Sequence, residues 1–87
     1  MDRFAKFPQR LKELRLKNKL SQAKFAQLMG VSDTQYQRYE YGENEPTIGL
    51  LFVIGLYFEV SVDWLLGLTD DPERKHKVEF GPVQKNE

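Results

Sequence analysis

The chain has 87 residues, with 13 Lys+Arg against 13 Asp+Glu, a single His and no Cys. That length suits one small domain around a single core, and it excludes a large catalytic architecture. Without Cys there is no disulfide framework or thiolate metal site, and His76 alone cannot hold zinc, so no metal or other cofactor is expected.

No apolar run approaches the ~18 residues that would suggest a membrane span, and Met1 to Pro8 lacks the apolar stretch of a signal peptide. A cytoplasmic location is therefore expected, with no membrane partner. Zero net charge, taken as a sum, argues against a nucleic-acid binder. The distribution argues otherwise. Residues 1–24 hold eight basic groups against two acidic ones, and the remainder holds five against eleven. Arg38 is the only basic residue between Phe25 and Asp71.

In chain order, residues 1–7 read as an N-terminal arm. Pro8 fits the first turn of a helix, where a missing N–H costs nothing, and Leu11 and Leu14 give it an apolar side to about Asn18. Ser21 is a good N-cap for a second helix carrying Phe25, Ala26, Leu28 and Met29, which Gly30 ends. Ser32 caps a third helix almost at once, with Gln35 at capping-box spacing, and this one runs to about Tyr41. Thr47 caps a fourth helix through about Phe58, and Ser61 a short fifth over Val62 to Leu66. Residues 69–87 read as a charged tail, in which Val78, Phe80 and Val83 alternate loosely. The expected fold is an all-α, compact five-helix bundle over residues 8–68.

The junction of the second and third helices is the informative place. Small Ala26 lets two helices approach, Gly30 takes the tight turn, and Val31 and Tyr36 anchor the next helix. Alone, these features fit an ordinary helical hairpin as well as a helix-turn-helix. The third helix places Asp33, Thr34, Gln37, Arg38 and Tyr41 on one face by i, i+4 spacing, while Tyr36, Tyr39 and Glu40 face the bundle. Each outward group has a partner in a DNA major groove. Arg38 can grip guanine, Gln37 adenine and Asp33 cytosine N4, while the Thr34 methyl fits thymine. An exposed polar helix face is the plainer alternative.

Several further segments agree in order and spacing: Arg10-Leu11-Lys12-Glu13-Leu14-Arg15, Leu20-Ser21-Gln22, Phe25 to Ser32, Tyr39-Glu40-Tyr41-Gly42, Pro46-Thr47 and Ser61 to Gly67. Together they resemble the Xre / Cro–repressor family over residues about 10–68. The resemblance implies a phage-repressor-like helix-turn-helix bundle that binds double-stranded DNA in the major groove as a homodimer on a two-fold symmetric site. It puts base reading at Asp33, Thr34 and Arg38, and makes Gln22 a phosphate contact. Arg15 and Glu40 match a pair that forms an internal salt bridge in the family. Ser21, Ser32 and Thr47, at helix starts, and the Tyr41 hydroxyl are further phosphate candidates. Arg10 leads the first-helix cations that add long-range attraction, with plain solubility as its alternative role.

Two departures bear on function. Tyr41 stands where the family often has Asn, and Glu43-Asn44-Glu45 stands where a basic loop is frequent, so two carboxylates would repel a nearby phosphate backbone. The fourth helix is apolar on all sides. Ile48, Leu51, Phe52, Gly55 and Phe58 are expected as its core stripe, leaving Leu50, Val53, Leu56 and Tyr57 as a second face for a dimer, a partner protein or the chain's own tails. The leading expectation is a sequence-specific DNA-binding transcriptional regulator, a repressor. The alternative is a protein-interaction module on the same fold, of antitoxin or anti-repressor type. No Gly-rich phosphate loop or His–nucleophile pair points to an enzyme.

Overall fold

Serine and threonine hydroxyls set where four of the five described helices begin. The computed structural model describes residues 3–75 and contains α1 (Lys6–Lys17), α2 (Gln22–Met29), α3 (Asp33–Glu40), α4 (Ile48–Phe58) and α5 (Val62–Leu66). The side chains of Ser21, Ser32, Thr47 and Ser61 each accept from the backbone N–H three residues on, at 3.0–3.1 Å. Each thereby satisfies one of the donors that a helix start leaves open. At Ser32 the box is complete, since Gln35 accepts in return from the Ser32 N–H at 3.4 Å.

Between α2 and α3 the chain turns within three residues. Gly30 adopts φ 75°, a left-handed conformation that costs a side-chain-bearing residue about 1–2 kcal/mol. Its N–H donates to the Gln27 carbonyl at 3.2 Å and that of Val31 to the Ala26 carbonyl at 3.1 Å, closing the end of α2. Ala26 is wholly buried there, so a small side chain sets the α2–α3 approach.

Helix α1 packs on α3 and α5, α2 on α3 and α4, and α4 on α5. The centre is aromatic. The Phe25 ring lies 5.0 Å from Tyr36 and 5.1 Å from Phe58, and Phe7 meets Tyr39 edge-on at 6.5 Å. Leu11, Ile54 and Leu65, all with no exposed surface, fill in around these rings. Among the described residues there is no strand, only one antiparallel bridge between Val60 and Glu73.

Three expectations need correction. The arm is shorter than residues 1–7, because α1 begins at Lys6 and Phe7 is a fully buried core residue. Pro8 then sits in the first turn, which tolerates it. The start of the charged tail is not detached. The Ser61 N–H donates to the Pro72 carbonyl at 3.0 Å, and Arg74 Nη1 to the Gly55 carbonyl at 3.2 Å, so residues 69–75 fold back along α4 and α5. The expected alternation of Val78, Phe80 and Val83 lies outside the described residues.

The third correction concerns α4. Its core side is Leu50, Ile54 and Gly55, with Leu51, Val53 and Phe58 packed beside them. Ile48 and Phe52, expected in the core, are 87% and 59% exposed. Leu50, expected on the second face, is buried, and Val53 is half-buried against the core. Ile48 and Phe52 face outward at i, i+4 spacing, with Leu56 half-buried one turn on and Tyr57 exposed beside Phe58. An all-apolar helix carries no contrast between faces, so only its neighbours choose which side is inside.

Candidate nucleic-acid interface

The third helix divides into two faces. Tyr36, Tyr39 and Glu40 are buried, whereas Asp33, Thr34 and Arg38 are exposed and Gln37 is half-buried. Tyr41, just past the last turn, is 63% exposed. Among the described residues Arg38 enters no ion pair, so its five donors are available. The backbone N–H groups of Glu43 and Asn44 close over the Arg38 carbonyl at 2.8 and 3.3 Å, ending the helix cleanly.

What holds this face in place is a buried polar cluster beneath it. Glu40 accepts from Arg15 Nε at 2.8 Å and Nη2 at 2.9 Å, from Gln22 Nε2 at 3.0 Å, and from the Tyr36 hydroxyl. Arg15 also donates to the Leu20 carbonyl at 3.0 Å. One carboxylate therefore joins α1, the start of α2 and the end of α3. Burial alone would favour neutral Glu40, but the hydrogen bonds from Arg15, Tyr36 and Gln22 outweigh it and hold its carboxyl below the usual range. Burial, reinforced by the Glu40 carboxylate, pushes the Tyr36 hydroxyl up, so Tyr36 remains a donor. The Arg15–Glu40 pair was implied by the resemblance, whereas the Tyr36 and Gln22 bonds to Glu40 were not anticipated. The i, i+4 spacing of Tyr36 and Glu40 is the signal that could have found the first, and nothing local relates Gln22 on α2 to Glu40 on α3.

The phosphate candidates lie at helix starts. Ser21, Ser32 and Thr47 use their oxygens as caps, which leaves each hydroxyl proton free to donate. Gln22 spends one amide N–H on Glu40 and retains the other. Two cations have roles that the sequence reading did not assign. Arg10 donates to the Trp64 carbonyl, to the Thr69 carbonyl at 2.7 Å and to Asp70 at 2.8 Å, with its guanidinium 5.1 Å from the Trp64 ring centroid. It is a fixed clamp across α1, α5 and the returning chain, so its expected place among the steering cations is withdrawn. Arg3 forms a two-bond pair with Glu45 at 3.1 and 3.2 Å. This pairing offsets one of the two carboxylates in the loop after α3.

An exposed polar helix, set by a three-residue turn against a second helix and anchored from below, defines a helix-turn-helix protein. A helix-turn-helix family model matches residues 11–65. Over 76 residues the chain is 40% identical to the uncharacterized HTH-type transcriptional regulator YobD of Bacillus subtilis, covering 83% of this chain and 68% of that protein. It is 39% identical over 62 residues to the cryptic phage CTXphi transcriptional repressor RstR of Vibrio cholerae. That match covers 71% of this chain and 55% of RstR, so the chain spans only about half the length of this relative. The solution structure of the SOS-response transcriptional repressor LexA from Eubacterium rectale superposes with a TM-score of 0.70 at 20% identity. It covers all of this chain and 87% of that one, and shows the shared fold. The chain belongs to the helix-turn-helix family, of Xre/Cro type, and is a DNA-binding transcriptional regulator.

Proposed function

We propose that the chain is a repressor that reads the major groove of double-stranded DNA with α3, two copies occupying a two-fold symmetric site. The observation that carries this is the exposed face of Asp33, Thr34 and Arg38 standing on the buried Arg15–Glu40–Gln22 cluster. A rigid scaffold under a polar helix is what base recognition requires, because each bidentate contact depends on fixed geometry. In this reading Arg38 and Thr34 specify bases, with Asp33 and Gln37 beside them. Ser21, Gln22, Ser32, Tyr41 and Thr47 hold the phosphate backbone and set the register. The likeness to a phage repressor supports the direction of regulation.

Two copies follow from the size of the reader. Helix α3 has eight residues and spans about 12 Å, enough for one half-site of a few base pairs. The protein acts in the cytoplasm by binding rather than catalysis. Selection of bound sites from random duplexes, followed by gel shift over a salt series, tests the reading. The expected result is an inverted repeat with a half-site spacing near one DNA turn. Binding of equal strength to every duplex would count against it. A second reading, a protein-interaction module, draws on the exposed Ile48 and Phe52, with half-buried Leu56 beside them, and on Glu43 and Glu45. It predicts that equal-strength outcome.

A further inference from the structure

We propose that Arg3 sets DNA affinity without touching DNA, by neutralising and holding the Glu45 carboxylate that stands beside the phosphate backbone. This rests on the reading that α3 lies in the major groove with Tyr41 and Thr47 on phosphates. Glu45 falls between those two contacts, four residues after the first and two before the second. Two residues of backbone span at most about 7 Å, so a phosphate held at Thr47 feels the Glu45 charge, whose side chain is 52% exposed. In water, one unpaired carboxylate about 7 Å from a phosphate weakens binding about threefold.

Arg3 removes that repulsion at its source. Its Nε donates to Glu45 Oε2 at 3.2 Å and its Nη2 to Oε1 at 3.1 Å, a fork that engages both oxygens. Glu43, by contrast, enters no ion pair among the described residues.

The two partners are 42 positions apart, and the fold brings them together. Phe7 is buried edge-on against Tyr39 of α3, and its N–H donates to the Phe4 carbonyl at 3.1 Å, which turns the chain just before α1. Pro8 lies against Gly42, where an added Cβ would sit 3.4 Å from the Pro8 Cγ. Arm and loop therefore face each other across a cleft lined by Phe4, Phe7 and Pro8 on one side and by residues 42–46 on the other. The Arg3 guanidinium also lies 5.5 Å from the Phe4 ring centroid, a cation–π contact that restrains the same side chain. A pair this exposed contributes little to folding. Its effect is on the local field. Attraction of phosphates by Arg3 itself is the competing role, but the fork already engages that charge.

Binding of the whole 87-residue chain to its selected duplex, measured as a double-mutant cycle, tests this. At about 0.02 M salt, Arg3→Ala should weaken binding about threefold for each copy bound, with thermal unfolding unchanged. Glu45→Gln alone and the double variant should both bind like the parent, because no carboxylate is left to neutralise. The Arg3→Ala cost should shrink as salt rises to about 0.2 M. Equal costs of Arg3→Ala in the parent and in the E45Q background would overturn the proposal and make Arg3 a phosphate cation in its own right. No cost in the parent would overturn it too. Arg38→Ala, measured alongside, reports on α3 itself. If it weakens binding while Arg3→Ala does not, this inference falls and the groove reading stands.

Discussion

Glu40 and Arg38 lie two residues apart on α3 and illustrate opposite uses of charge. Glu40 is buried among four donors, so its worth is structural. Removing one partner of such a pair leaves the other charged and desolvated, and Glu40→Ala should cost about 3–5 kcal/mol in urea unfolding. Its carboxyl is held low in the folded chain, so the stability it contributes is complete above the unfolded value of about 4.3 and is lost as pH falls through the folded one. Urea midpoints should therefore drop on acidification below about pH 4, and Glu40→Gln should flatten that dependence. Arg38, being exposed, should matter little to folding. Arg38→Ala should weaken the selected site by about 1–3 kcal/mol and relax base choice at one position, as read by competition binding. Unchanged affinity and preference would remove α3 from the groove.

Among the elements, the α2–turn–α3 unit was almost wholly legible, because Ser21, Gly30, Ser32 and Gln35 act through bonds to residues within four positions. Local chemistry of that kind is written in the order of residues. Helix α4 was legible as a helix but not in its orientation, since Ile48 and Phe52 are as apolar as Leu50 and Ile54. One glycine marks the difference. At Gly55, α4 comes close enough to Val60 and Val62 that an added Cβ would sit 3.0 Å from Val62 Cγ2 and 3.4 Å from the Val60 carbonyl. Gly55→Ala should therefore destabilise by about 1–3 kcal/mol through overpacking, despite the better helix propensity of alanine. Thermal unfolding would show it. A rise in melting temperature would mean that α4 can move outward freely.

At the scale of the molecule, Arg10 does what no local signal announced. Its guanidinium spans the end of α5, the Thr69 carbonyl and Asp70 while stacked on Trp64, and it retains only 12% of its side-chain exposure. A cation at the α5 C-terminus is also favourably placed against the helix dipole. Arg10→Ala should cost about 2–3 kcal/mol and release residues 69–75, seen as faster hydrogen exchange at the Ser61 amide. Asp70→Asn should change stability little, because that carboxylate is mostly in water. With Arg10 and Arg15 committed to the interior, the basic character of the first 24 residues is smaller at the surface than their count suggests.

The sequence by itself determined the five helices, their caps, the tight turn and the polar face of α3, and its resemblance determined the family. All of these rest on contacts between near neighbours or on residue identities in fixed spacing. The tertiary structure decided which side of α4 is buried, that Phe7 belongs to the core, and that Arg10 is a clamp. It also decided that Gln22 shares the Glu40 carboxylate. The Glu40 and Arg10 contacts join residues from 18 to 60 positions apart, as in Gln22 to Glu40 and Arg10 to Asp70. No period or motif within one element carries such information, because a side chain's partner across the bundle is set by how whole helices pack.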